Sequence, residues 1–245
     1  VRILARTMGD RFIAVGEGVF HNGLDRGFPR ERLVLVQNGI DTRRFCFDEN
    51  DRKQTRASLG ASDQQTIFLL LGYDPYIKGV DYFVKAAQTY AQNNNRKTLF
   101  LVIGRKETRE CVAKMPESRE LGSSLRVMDP TENFAAFLNG IDILVASSRS
   151  EGLSYAVLEA MSEGKLILYA DIPGLRETCR SAEGAWLFPL GDWQALSSLM
   201  KTVEELPSVE RERLGNLNAR YVGDHFSLET WANRMGEIYR TVLGS

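Results

Sequence analysis

The stretch richest in chemistry runs from residue 141 to 177 and reads IDILVASSRSEGLSYAVLEAMSEGKLILYADIPGLRE. An apolar run ending near Ser147 has the character of a strand, a polar loop carries Glu151 and Gly152, and a helix begins near Ser154 and stops at Gly164. The loop thus delivers Glu151 and the amides of Gly152, Leu153, Ser154 and Tyr155 to a helix N-terminus at the carboxyl end of a strand, where open α/β sheets bind ligands. Unpaired N–H groups and the positive end of the helix dipole favour an anion there. Gly152 lets a ligand approach the backbone closely. Glu151 and Glu159 have seven residues between them, enough to contact different parts of one extended ligand. Carboxylates accept from paired hydroxyls, and a sugar nucleotide offers two such pairs with a diphosphate between them. The chemistry implied is recognition of an anionic ligand rich in hydroxyls.

Positioning such a site calls for strands covered on both faces. Apolar runs at 11–15, 33–37, 66–72, 98–103, 125–128, 141–147, 166–169 and 185–188 alternate with helical candidates at 80–93, 108–115, 133–139, 155–163, 174–180 and 193–206. The alternation predicts repeated βαβ units and a doubly wound, Rossmann-like parallel sheet. The polar stretch 48–65 holds almost no large apolar residues and reads as a boundary, so the chain divides into 1–44, 45–227 and 228–245. In the last segment Leu228, Trp231, Met235, Ile238, Tyr239 and Val242 describe one apolar helix face, which is read as packing. Asn38, Gly39 and Asp41 read as a crossover turn, because Asn-Gly suits positive backbone angles. The chain opens on Val1 inside what reads as folded sequence, so a preceding segment is expected.

Composition excludes several classes of function. A net charge of -1 over 245 residues gives no support for a nucleic-acid partner; Arg43, Arg44, Arg52, Lys53 and Arg56 are interleaved with acids and read as solvated surface. Cys46, Cys111 and Cys179 lie far apart without a C-x-x-C pair, and only His21 and His225 could join them, so neither a disulfide framework nor a metal site is expected. Free thiols suit a reducing compartment, hence a cytoplasmic location. No apolar run is long enough for a bilayer, no signal peptide is evident, and no G-x-G-x-x-G opens a helix after a strand as a dehydrogenase would need. Glu177 reads as helix surface or a cap partner.

The Glu, seven residues, Glu arrangement followed by Ala-Met, together with NGID at 38–41 and IKGVD at 77–81, resembles the carboxyl-terminal half of the retaining family 4 glycosyltransferases of GT-B fold. That resemblance implies that Glu159 holds the ribose hydroxyls, Glu151 contacts the donor sugar and Lys78 neutralises the diphosphate, with the amides of Leu153, Ser154 and Tyr155 touching sugar and phosphate. The family usually has arginine directly after the glycine that Gly72 matches; this chain has Tyr73 there, leaving the diphosphate to Lys78 alone or to a further cation such as Arg105. The resemblance further implies two Rossmann-like domains facing each other, the acceptor mostly on the first and the donor on the second, with residues 1–36 a remnant of the first. The whole enzyme would move a hexose-like sugar from a nucleoside diphosphate donor to a glycan or lipid-linked acceptor, with retention, without a metal or other cofactor. It would work at the inner face of a membrane, any peripheral attachment running through the other half. The chain alone would bind a sugar nucleotide without transferring it, and its last helix would self-associate or fold back on 1–36. Two competing readings are a non-catalytic binding or assembly module of the same fold and a sugar-nucleotide epimerase, for which no acid and base set is apparent.

Overall fold

The computed structural model describes residues 10–94 and 98–244, so the expectations placed on residues 1–9 lie outside the described residues. Two parallel sheets form. The smaller pairs β1 (Phe12–Ala14) with β2 (Leu33–Leu35), joined by helix α1 (Glu17–Asp25). The larger holds β3 (Thr66–Leu71), β4 (Thr98–Ile103), β5 (Leu125–Met128), β6 (Ile143–Ala146), β7 (Leu166–Ala170) and β8 (Ala185–Phe188) in the order β5-β4-β3-β6-β7-β8, all parallel.

β3, β4, β6 and β7 read as apolar throughout because both of their faces are covered, and essentially all their residues are buried. Helices α3 (Val80–Asn93) and α9 (Trp193–Glu205) pack together on the sheet, and α7 (Tyr155–Ser162) packs with α10 (Ser208–Phe226). Helices α4 (Lys106–Ala113), α5 (Pro116–Leu121), α6 (Phe134–Asn139) and α8 (Pro173–Thr178) complete the crossovers. From β3 the chain winds outward to β4 and β5, then returns to lay β6 on the other side of β3, pairing Phe68 with Ile143. The loops leaving β3 and β6 therefore diverge to opposite faces, opening a crevice at their carboxyl ends.

Two expectations need correcting, and two helices with polar inner faces were not foreseen. The 48–65 stretch, read as a boundary, is largely helix α2 (Glu49–Ser58), capped by Asp48, whose carboxylate accepts from the amides of Asn50 and Asp51 at 2.8 and 2.9 Å. Its inner face is polar: Arg56, 1% exposed, donates to Gly140 O, Ser62 O, Gln65 O and Asp142, while Arg52 also bonds Asp142. Arg56 is a buried fastener and Arg52 a half-buried one, rather than solvated surface, and no hydrophobic pattern could reveal that. Helix α10 was missed because its inner face uses Gly215 and Asn218 beside Leu214, Val222 and Phe226; Asn218 bonds Gly184 and Lys165 O. Gly39 has no positive φ. It is glycine because a Cβ would stand 2.6 Å from Ser227 O, where the chain pairs Ile40 with Ser227 before α11 (Leu228–Leu243). That final helix has no fully buried residue; Trp231, Met235 and Ile238 are half-covered, and Tyr239 is 60% exposed.

Candidate functional site

The two loops that open the crevice carry the residues of interest. After β3 the chain passes through Gly72 and Tyr73 into a turn in which the carboxylate of Asp74 accepts from the amides of Tyr76 and Ile77 at 3.1 and 2.9 Å. Lys78 follows, and Gly79, with φ of +63°, starts α3 in a left-handed conformation that also brings it against Ser147; a Cβ there would lie 2.0 Å from Ser147 O. From the other side Ser147, fully buried, donates to Lys78 O at 3.1 Å or Gly79 O at 2.9 Å. The loops are thus stitched side chain to backbone.

Stitching brings Lys78 Nζ within 2.5 Å of Glu151 Oε1, which also accepts from Ser148 Oγ at 2.9 Å. The resemblance assigned the two to different parts of a ligand; here they touch. Ser154 stands at the N-cap of α7 without a side-chain cap, and among the described residues the amides of Gly152, Leu153, Ser154 and Tyr155 donate to no protein acceptor. A Cβ on Gly152 would meet nothing within 4 Å, so the loop faces open space. Gly72 is packed, a Cβ there reaching 2.8 Å from Val80, so its lack of a side chain serves close packing.

Glu159, in the second turn of α7, is half-buried and accepts no hydrogen bond among the described residues. Burial pushes its carboxyl up to about 7, with the positive charge of Arg44 opposing. Burial raises the Tyr73 phenol too, the charge of Glu159 adding to the rise and that of Arg105 countering it. Arg44, read from sequence as solvated surface, is exposed yet faces Glu159. A ledge of two carboxylates, three cations and free amides at a sheet switch point can hold a polyanion bearing hydroxyls.

A family profile described as glycosyl transferases group 1 matches residues 51–220, well over half of the chain. The chain belongs to that family. Among curated proteins, this group 1 chain is 27% identical over 219 residues to the D-inositol 3-phosphate glycosyltransferase of Nocardia farcinica, covering 84% of the chain and 46% of that protein. It is 25% identical over 146 residues to the lipopolysaccharide glucosyltransferase WaaG of Escherichia coli K12, covering 59% of the chain and 39% of that protein. The chain spans less than half the length of these relatives. The crystal structure of Anabaena HepE in complex with UDP superposes with a TM-score of 0.85 at 16% identity, covering 98% of this chain and 66% of that one, which confirms the Rossmann-like GT-B fold.

In this group 1 chain Glu177 is the cap partner that its sequence context allowed. Its Oε2 accepts from the amide of Glu17 at 2.7 Å, capping α1 from a distance, and its Oε1 accepts from Gln37 Nε2 at 2.6 Å. Sequence reasoning missed Ser147, Ser148 and Arg149, common residue types that acquire meaning only when β3 and β6 become neighbours. His21 and His225 contact only aromatic rings among the contacts described, and no group of three or more His, Cys, Asp or Glu among the described residues could hold a metal ion. No described helix is long and apolar enough to cross a membrane.

At the opposite, amino-terminal edge of the sheet, a cavity of about 570 Å³ is lined in part by Phe47, Arg52, Glu163, Lys165 and Arg211. Glu163 is 1% exposed and neither carboxylate oxygen has a hydrogen-bond partner. Burial pushes its carboxyl up to about 8, Lys165 opposing; burial also pulls the Lys165 amine down, although its Nζ donates to Asn139 O at 3.0 Å. A carboxyl raised on folding keeps a proton that the unfolded chain releases, so stability falls as pH rises from about 4.5 to 8. Glu163→Gln should therefore raise the melting temperature little at pH 5 and most at pH 8.5, where removing an unpartnered buried charge is worth on the order of 2 kcal/mol, roughly 4–8 °C for a chain of this size. Melts by circular dichroism at both pH values check this; equal gains at both would mean the carboxyl is not ionising in the fold.

Proposed function

We propose that this chain is the donor-binding half of a group 1 glycosyltransferase that moves a hexose-like sugar from a nucleoside diphosphate sugar to a glycan or lipid-linked acceptor, with retention at the anomeric carbon. The observation that carries this reading is the meeting of Lys78 and Glu151 across the β3/β6 switch point, with the Glu159 carboxylate left unpartnered on the same ledge. Phosphate negative charge suits Lys78 and the free amides at residues 152–155, the ribose hydroxyls suit Glu159, and the donor sugar suits Glu151. In this reading Arg105 supplies the diphosphate with a second cation, beside Tyr73. Because protein cations meet the diphosphate, binding is proposed to need no metal. The acceptor-side wall would come from a facing domain, to which residues 1–44 and the half-exposed stripe of α11 belong in this reading.

A thermal-shift screen of UDP, GDP, ADP and their sugars, with and without EDTA, tests the proposal. UDP is the first probe, since HepE of the same fold was crystallised with it. One nucleotide is expected to stabilise the chain by about 2.7 kcal/mol at a hundredfold excess over its dissociation constant. Absence of any shift at millimolar concentrations with all three would overturn the reading, and loss of the shift in EDTA would overturn metal independence.

A further inference from the structure

Arg149 lies two residues before Glu151 and has no role in the reading above, yet it is the most heavily engaged side chain between the two loops. Its guanidinium grips both oxygens of Asp81, in the first turn of α3, at 2.9 and 2.7 Å. It also donates to Tyr76 O at 2.6 Å and lies over the rings of Tyr76 and Tyr82, 4.4 and 4.0 Å from their centroids. Its own amide donates to Ile77 O at 2.7 Å. Every one of these partners sits in the 76–82 segment that carries Lys78, while Arg149 belongs to the 147–154 segment that carries Glu151.

The Ser147 bonds hold the turn at Lys78 and Gly79, and a clamp further along it has a physical use. Lysine has a long unbranched stem whose ammonium finds a fixed place only if its backbone is held, and the middle of the 72–79 turn leaves Tyr76 and Ile77 exposed. A bidentate Arg–carboxylate contact, with two aromatic rings close to the guanidinium, fixes both distance and orientation in a way an ammonium cannot. We infer that Arg149 is a positioning residue for the diphosphate-binding lysine, holding the turn that bears Lys78 against the loop that bears Glu151. The inference rests on the donor-site reading and goes beyond it, since that reading gives Arg149 no role.

The test uses the nucleoside diphosphate among UDP, GDP and ADP that the parent chain binds, measured by calorimetry beside its own nucleoside. Arg149→Ala should weaken the diphosphate about tenfold and leave the nucleoside within about twofold; Arg149→Lys should recover only part, lacking the planar fork. In a Lys78→Ala background Arg149→Ala should add less than about twofold, because the group it positions is gone. Should Arg149→Ala fail to fold, Asp81→Asn, which keeps the volume and removes the charged partner, should show the same pattern. Equal losses for diphosphate and nucleoside, or a loss that adds in full to that of Lys78→Ala, would show a general structural role and overturn the inference. A parent that binds none of the three nucleotides overturns the donor-site reading along with it. A parent that binds while Arg149→Ala and Asp81→Asn are both indistinguishable from it overturns the positioning role alone.

Discussion

Replacing Lys78 with alanine is expected to weaken binding of a nucleoside diphosphate roughly 10- to 150-fold, the effect of losing a charged hydrogen bond worth about 1.5–3 kcal/mol. The free nucleoside should bind as before. The contact between Lys78 Nζ and Glu151 adds a second consequence. In the unliganded chain part of the ammonium charge is spent on Glu151, so Glu151→Ala should spare or tighten the bare diphosphate while weakening the sugar-bearing donor. The effects of the two substitutions should then fail to add, as expected for groups in direct contact. Calorimetry on the two single variants and the double variant decides the matter. A Lys78→Ala chain that loses nucleoside and diphosphate affinity equally would remove the lysine from the phosphate site.

Glu159 gives the second large effect, and it carries a pH signature. With the carboxyl raised to about 7, the group is mostly protonated at pH 6 and mostly ionised at pH 8. Only the carboxylate can accept from both ribose hydroxyls. Affinity should therefore rise between pH 6 and 8, and bound ligand should pull the carboxyl back toward its ordinary range. A sugar nucleotide is the right probe, because its diphosphate lacks the terminal ionisation near pH 6 that phosphate monoesters have. Glu159→Gln should bind about tenfold or more weakly at pH 8 and show a nearly flat profile, since a charged hydrogen bond is lost. A parent profile as flat as that of the variant would remove the carboxylate from nucleotide recognition.

Most of the large sheet could be read from the chain alone because its strands have no polar face: 98–103 and 125–128 are strands at those bounds, and α3 spans its expected 80–93. Glu151 and Glu159 were legible because a strand, a short loop and a helix follow one another in sequence. Pairing across distance was not. Arg149, Ser147 and Ser148 matter because β6 lies beside β3, and Glu151 comes 73 positions after the Lys78 it touches. The 48–65 stretch hid its helix by burying arginine and threonine in place of leucine, and Arg44, exposed as its sequence context suggested, also acts through its charge on Glu159, which no spacing in the sequence signals. Gly39 shows a third way to misread a sequence: an Asn-Gly pair signalled a left-handed turn, whereas the glycine answers to a neighbouring carbonyl.

Helix α8 lies between the two sheets with almost no room to yield. At one end Gly174 presses on the 151–152 main chain, where a Cβ would come 2.2 Å from Glu151 O and 2.1 Å from Gly152 O. At the other, Glu177 holds the first amide of α1 and the side chain of Gln37, and Arg180 just beyond pairs with Glu17 at 2.6 Å. Six helical residues span only about 9 Å, too short to bend. In mechanical terms α8 is a strut: the small sheet and the Glu151 loop are its two bearings, and tilting one displaces the other. Any rotation of the small sheet thus arrives at the Glu151 carbonyl undamped.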